Sequence, residues 1–233
     1  MRLQSFGCSF IFGSDLADDG RGLEHPTPSN LTWPALMAGQ LDLKYVCHAR
    51  PGAGNLQIAE RILTKMVGSQ DSVFVIGWTW IDRFDYTNST ITNDPILARW
   101  DNWRTIVPMD ESNLAQTYYR GLHSEYRDKL TTLMNIKLVI DTLNQRGIRF
   151  IMTFMDHLLF DQKWNHTPAV IELQEYVRPY MQDFEGKNFL DWSRGRGYEI
   201  SPTWHPLEPA HEAASHIMRQ AFDKQSKDGR CPA

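Results

Sequence analysis

"MRLQSFGCSFIFGSDL", residues 1–16, opens the chain with a short apolar run that breaks at once into Gly7, Ser9 and Gly13. Residues 3–6 read as a β-strand, and "GCSFIFGSDLADDGRG", residues 7–22, as a turn running into a polar loop rich in Gly and Asp. The segments that follow repeat the alternation. "SNLTWPALMAGQLDL", residues 29–43, has Ser29 or Asn30 to cap it and Leu31, Trp33, Leu36, Met37 and Leu41 as a helical apolar stripe. "KYVCHA", residues 44–49, reads as a second strand; "LQIAERILTKMVG", residues 56–68, as a helix stopped by Gly68; and "SVFVIGW", residues 72–78, as a strand buried on both faces.

Downstream, residues 80–115 are rich in Trp, Asp, Asn and Thr without clear period and read as an insertion. Residues 114–147 read as one long helix or two, leading into the strand "IRFIMTFM", residues 148–155. A helix over 169–181, a strand-like "NFLDW" at 188–192 and a terminal helix over 208–225 complete the pattern. Alternating strands and helices with apolar strands imply a single-domain three-layer α/β/α sandwich with a mostly parallel central sheet, spanning residues 1–233. The length of 233 residues suits one such domain.

Composition narrows the function classes. A formal net charge of -4, with no basic run, argues against nucleic acid or an anionic membrane as the main partner. Cys8, Cys47 and Cys231 are too few and too scattered for a disulfide framework or a zinc site. Neither a signal peptide nor an apolar run of the ~18 residues that span a bilayer is legible, so a cytoplasmic protein is expected. The first loop lacks the glycine patterns that cradle nucleotide phosphates.

In an open parallel sheet, ligands gather at the carboxyl ends of strands. Ser9 lies at such an end, where it serves either as a nucleophile or as an ordinary turn residue. A nucleophilic serine needs a base, and His205 in the Pro-bounded loop "PTWHP", residues 202–206, is the leading candidate. His157 is a weaker rival, and His211 and His216 on the terminal helix read as packing or surface groups. The loop "RPGAGN", residues 50–55, brings backbone N–H groups and the Asn55 amide to the second strand end. Those groups suit an oxyanion hole, or simply a tight turn capping the next helix.

Together these stretches resemble the SGNH (GDSL-type) hydrolases. "GCSFIFG" keeps the Gly7, Ser9 and Gly13 of that family's first block and has Cys8 in place of its Asp; "PGAGN" offers Gly52, or alternatively Gly54; "PTWHP" keeps His205 and Pro206. The resemblance implies a flavodoxin-like sheet, a Ser9–His205 hydrolytic pair, no cofactor or metal, and oxyanion donors from Ser9 and Gly52. Two positions depart from it. Thr79 stands where the third block has an oxyanion-hole Asn, so Thr79 or Asn55 takes that place. The triad acid falls at Pro202, which makes Asp156 and Asp191 the acids to examine, the alternative being a Ser–His dyad with a backbone carbonyl fixing the imidazole tautomer.

Trp78, Trp80, Phe84, Tyr86, Trp100 and Trp103 cluster in and after the third block. Trp78, Trp80 and Arg83 are the expected substrate contacts, the aromatic faces suiting a sugar or an apolar acyl group. The functional expectation is an esterase acting through an acyl-enzyme on a small acyl or carbohydrate ester. The alternative is a catalytically silent module of the same fold that binds a glycan or small metabolite.

Overall fold

A computed structural model describes residues 1–20, 26–87, 103–164 and 167–227. In chain order the strands are β1 (Arg2–Phe6), β2 (Lys44–Cys47), β3 (Ser72–Trp78), β4 (Phe84–Thr87), β5 (Trp103–Ile106), β6 (Arg149–Phe154) and β7 (Met181–Gln182). The helices are α1 (Ser9–Phe12), α2 (Trp33–Gln40), α3 (Asn55–Lys65), α4 (Asn113–Gly121), α5 (Glu125–Gln145), α6 (Pro168–Val177), α7 (Phe189–Gly195) and α8 (Glu208–Lys227). The central sheet is parallel throughout, in the order β2-β1-β3-β6-β7. Growth of the sheet reverses between β1 and β3, so the crevice where such sheets bind ligands opens after Phe6 and Trp78.

Two-residue periodicity explains the layers. Along β3, Phe74, Ile76 and Trp78 enter one core with α3, α5 and α6, whereas Val73 and Val75 enter the other with α2, α7 and α8. β6 repeats this with Phe150 and Met152 on the first face and Ile151 on the second. A strand covered by helices on both sides needs apolar residues on both faces, as Val73, Phe74, Val75, Ile76 and Trp78 supply.

Local chemistry sets the boundaries. Thr32 caps α2 by accepting the Ala35 N–H, with Pro34 in the first turn, where a missing N–H costs nothing. Ser124 accepts the Arg127 N–H and so divides residues 114–147 into α4 and α5. The expected strand at 188–192 is instead the start of α7: Asn188 accepts the Asp191 N–H at 2.8 Å, and this cap turns a short apolar run into a helix. The insertion contributes an antiparallel ribbon of β4 and β5. Trp100 lies outside the described residues.

One buried histidine joins α8 to the elements around it. His211 Nδ1 accepts the Trp33 N–H at the start of α2, at 3.0 Å, while its ring packs on Phe189. Desolvation and the nearby His205 lower its pKa to about 3, against a hydrogen bond to the Pro206 backbone. His48, desolvated and facing Lys65 and Arg61, is lowered to about 4. Both rings protonate more readily unfolded, near 6.5, than folded. Their contribution to stability is therefore complete above that pH and is lost as pH falls through 6.5 toward 3. The thermal midpoint is expected to drop steadily over this range, and His211→Gln to flatten the dependence; scanning calorimetry across the pH series checks both.

Candidate active site

The turn after β1 is shaped by close approach. A Cβ on Gly7 would lie 2.5 Å from Ile11 Cγ1, and one on Gly77 2.6 Å from the same atom. With both positions bare, Ile11 packs between the ends of β1 and β3, and α1 starts after only Gly7 and Cys8. Ser9 is the first residue of α1, so its N–H has no acceptor within the helix. Gly13 then ends α1 in the left-handed region at φ 85°, with its N–H and that of Ser14 on the Ser9 carbonyl. Asp15 follows, also left-handed at φ 75°, with its N–H held by Asp19 at 2.7 Å.

His205 reaches the same place from the other end of the chain. A bridge between Ile200 and Pro206 closes its loop, with the Ser201 N–H on the His205 carbonyl at 2.8 Å and the His205 N–H on Ser201 Oγ at 3.1 Å. His205 Nε2 lies 2.8 Å from Ser9 Oγ, and Nδ1 lies 2.7 Å from Asp15 Oδ2. Ser201 donates to the same carboxylate oxygen at 2.5 Å, and Thr203 donates to it as well. Burial raises the Asp15 pKa, but the hydrogen bonds from Ser201, Thr203 and His205 and the charge of His205 outweigh it and hold Asp15 at about 2. An ionised Asp15 fixes the imidazole proton on Nδ1, which leaves Nε2 as the acceptor facing the Ser9 hydroxyl.

The carboxylate on His205 is thus Asp15, and neither Asp156 nor Asp191. Asp156 caps the 3-10 turn His157–Leu159, accepting the Leu158 N–H at 2.9 Å and the Ile81 N–H at 2.9 Å. Asp191 sits in the first turn of α7 and pairs with His157 at 2.7 Å and with Asn188. Asp15 was hidden in a loop that reads only as polar, and no spacing rule connects it to His205. The cue was a carboxylate placed shortly after a strand-end serine.

The remaining expected site residues separate. Gly52 is exposed at φ 79° in the turn from Arg50 to Ala53, a conformation that favours glycine there, with Pro51 suiting the position before it. Thr79 is buried, and its Oγ1 finds no hydrogen-bond partner among the described residues. Asn55 is turned to structural use: Oδ1 accepts the Thr79 N–H at 2.8 Å, and Nδ2 faces the Thr79 and Trp80 carbonyls and Thr132. Trp78 is not a substrate contact. Its ring is fully buried in the α3 and α5 core, against Met152. Trp80 does approach the site, 5.6 Å from the Phe10 ring, which is itself 4.9 Å from the His205 ring. Arg83 lies over Trp80 and donates to the Ala53 carbonyl. Trp204, unremarked by sequence, stands exposed beside His205 at φ 71°, under the Arg194 guanidinium.

No protein-family model and no curated protein matches the sequence. Solved structures do. The psychrotrophic esterase EstA from Pseudoalteromonas, in a form inhibited by monoethylphosphonate, superposes with a TM-score of 0.50 at 10% identity, over 97% of this chain and 98% of that one. This chain shares the α/β fold of that esterase. An alpha/beta hydrolase from the metagenome of Lake Arreo, Spain, gives a TM-score of 0.50 at 14% identity over 95% and 94% of the two chains. A member of the lipolytic G-D-S-L family from Veillonella parvula gives 0.48 at 11% identity over 96% and 99%. No cluster of His, Cys, Asp and Glu able to hold a metal, and no helix long and apolar enough to cross a membrane, occurs among the described residues.

The hydrogen-bonded chain predicts a selective response to amide substitution. Asp15→Asn should slow labelling of Ser9 by a fluorophosphonate by about 10³-fold or more, the scale on which loss of the orienting carboxylate acts. Asp191→Asn should leave the rate near wild type. Mass spectrometry of the labelled protein over time measures both.

Proposed function

We propose that the protein is a serine ester hydrolase acting through an acyl-enzyme on a small acyl ester. The observation that carries this reading is the continuous Ser9–His205–Asp15 hydrogen-bonded chain at the switch point of the sheet. In the forward step Ser9 Oγ adds to the acyl carbonyl carbon while its proton passes to His205 Nε2. Negative charge then develops on the carbonyl oxygen. The Ser9 and Gly52 N–H groups and the Thr79 hydroxyl are the donors this reading assigns to it, the last because it is buried and uncommitted. Collapse of the intermediate breaks the ester C–O bond, and the alcohol leaves with the proton from His205. Water repeats the sequence, with His205 again as base, to release the acid and restore Ser9.

Asp15 supplies orientation and charge to the imidazolium that forms in each step, and it stays ionised throughout. The Phe10 and Trp80 rings wall the space beside His205 and suit a small acyl group or the apolar face of a sugar. A purely binding role leaves unexplained why two hydroxyls and an imidazole converge on one oxygen of Asp15.

Hydrolysis of p-nitrophenyl acetate tests the assignment. Ser9→Ala and His205→Ala are expected to lose turnover with circular dichroism unchanged, and Thr79→Val to lose about 10²-fold in kcat as one oxyanion donor is removed. Wild-type rates in Ser9→Ala would sink the reading. Because the Asp15 pKa is about 2, protonation of this carboxylate should add nothing to the acid limb of the pH–rate profile above about pH 4.

A further inference from the structure

The loop assigned to the oxyanion leads directly into α3, whose N-terminal cap is Gly54, a residue with no side chain to satisfy the first N–H groups of the helix. Asp85, on β4 of the insertion, provides what is missing. Its Oδ1 accepts the Gly54 N–H at 3.0 Å and its Oδ2 accepts the Gln57 N–H at 2.9 Å. Thr105, across the ribbon on β5, donates to Oδ1 at 2.6 Å and holds the carboxylate in place. The fit is close enough to dictate sequence: a Cβ on Gly54 would stand 2.5 Å from Asp85 Oδ2. Arg83, at the entry to β4, adds a hydrogen bond to the Ala53 carbonyl at 3.1 Å. On its other side the same loop is tied through Asn55 to both backbone groups of Thr79.

We propose that Asp85 is a positioning residue for the reaction: by taking up the Gly54 and Gln57 N–H groups from the insertion, it fixes residues 52–57 so that the Gly52 N–H and the Thr79 hydroxyl meet the developing oxyanion. The role rests on the esterase reading given above. Asp85 acts through the loop and does not touch substrate. It is 7% exposed, and burial raises its pKa while the donors from Thr105, Gln57 and Gly54 oppose the rise. A carboxylate aimed at a helix N-terminus is also where the field of the helix favours negative charge. Small displacements of such a loop are costly in rate, because an oxyanion donor works only when aimed at the atom where charge appears.

The test compares Asp85→Asn, Thr105→Val and Ser9→Ala with wild type in p-nitrophenyl acetate hydrolysis, with amide hydrogen exchange over residues 52–57. Asp85→Asn puts an NH2 group against one of two N–H donors. Its kcat is expected to fall about 10- to 100-fold with KM little changed. Exchange at Gly54 and Gln57 should quicken, and the pH–rate profile should keep its shape because Ser9, His205 and Asp15 are untouched. Thr105→Val, which preserves the carboxylate, should show a smaller loss in the same direction and serves as the reporter if Asp85→Asn does not fold. Wild-type kcat in an exchange-perturbed Asp85→Asn, or a loss carried by KM or by a shifted pH profile, overturns the positioning role alone. Equal rates in wild type and Ser9→Ala overturn the esterase reading, and this role with it.

Discussion

Parallel pairing of β1 with β3 at the centre of the sheet is the constraint from which the site follows. It sets the ends of both strands side by side, and the bare Cα atoms of Gly7 and Gly77 let Ile11 fill the space between them. Because only Gly7 and Cys8 separate β1 from α1, Ser9 is placed directly at the strand end. A side chain at either glycine would collide with Ile11 and push α1 away from the ends of β1 and β3.

Onto this rigid base the fold adds polar groups from distant parts of the chain. His205 enters on a loop whose backbone is closed on itself by Ser201 and which is backed by His211 from α8. Asp15 accepts from three side chains, those of Ser201, Thr203 and His205. A carboxylate so supplied, with its pKa held at about 2, is charged near neutral pH, and a charged partner holds one imidazole tautomer. The carboxylate at His205 thus comes from the segment after Ser9 instead of the segment before His205. Geometry at the imidazole is indifferent to that origin, since only the oxygen near Nδ1 matters.

The other half of the site is a matter of clamping. Residues 52–57 lie between Thr79, held through Asn55, and Asp85, held through Thr105. The two clamps differ in character: one is a side-chain amide inside the core fold, the other a buried carboxyl group carried by the β4–β5 ribbon. This gives the insertion a direct mechanical connection to the second strand end.

Much of the fold was legible in the sequence because its causes are local. The apolar run of residues 72–78, the periodic stripe of α3 and the Gly-Cys-Ser turn each state a short-range requirement of strand, helix or turn. Residues 188–192 misled for the same reason: a brief apolar run suits either element, and the Asn188 cap decides between them. The pairing of Ser9 with His205 was legible too, since a strand-end serine and a late Pro-bounded histidine stand out by position. Asp15 and Asp85 did not, and Trp78 was misassigned, because which carboxylate meets His205, which one caps α3 and which face of β3 a ring occupies depend on long-range approach. The sequence by itself determined the alternation of strands and helices and the residues at the strand ends. Only the tertiary structure decided which charges those ends share, because hydrogen-bond partners are chosen by distance in space, and nothing in local spacing records it.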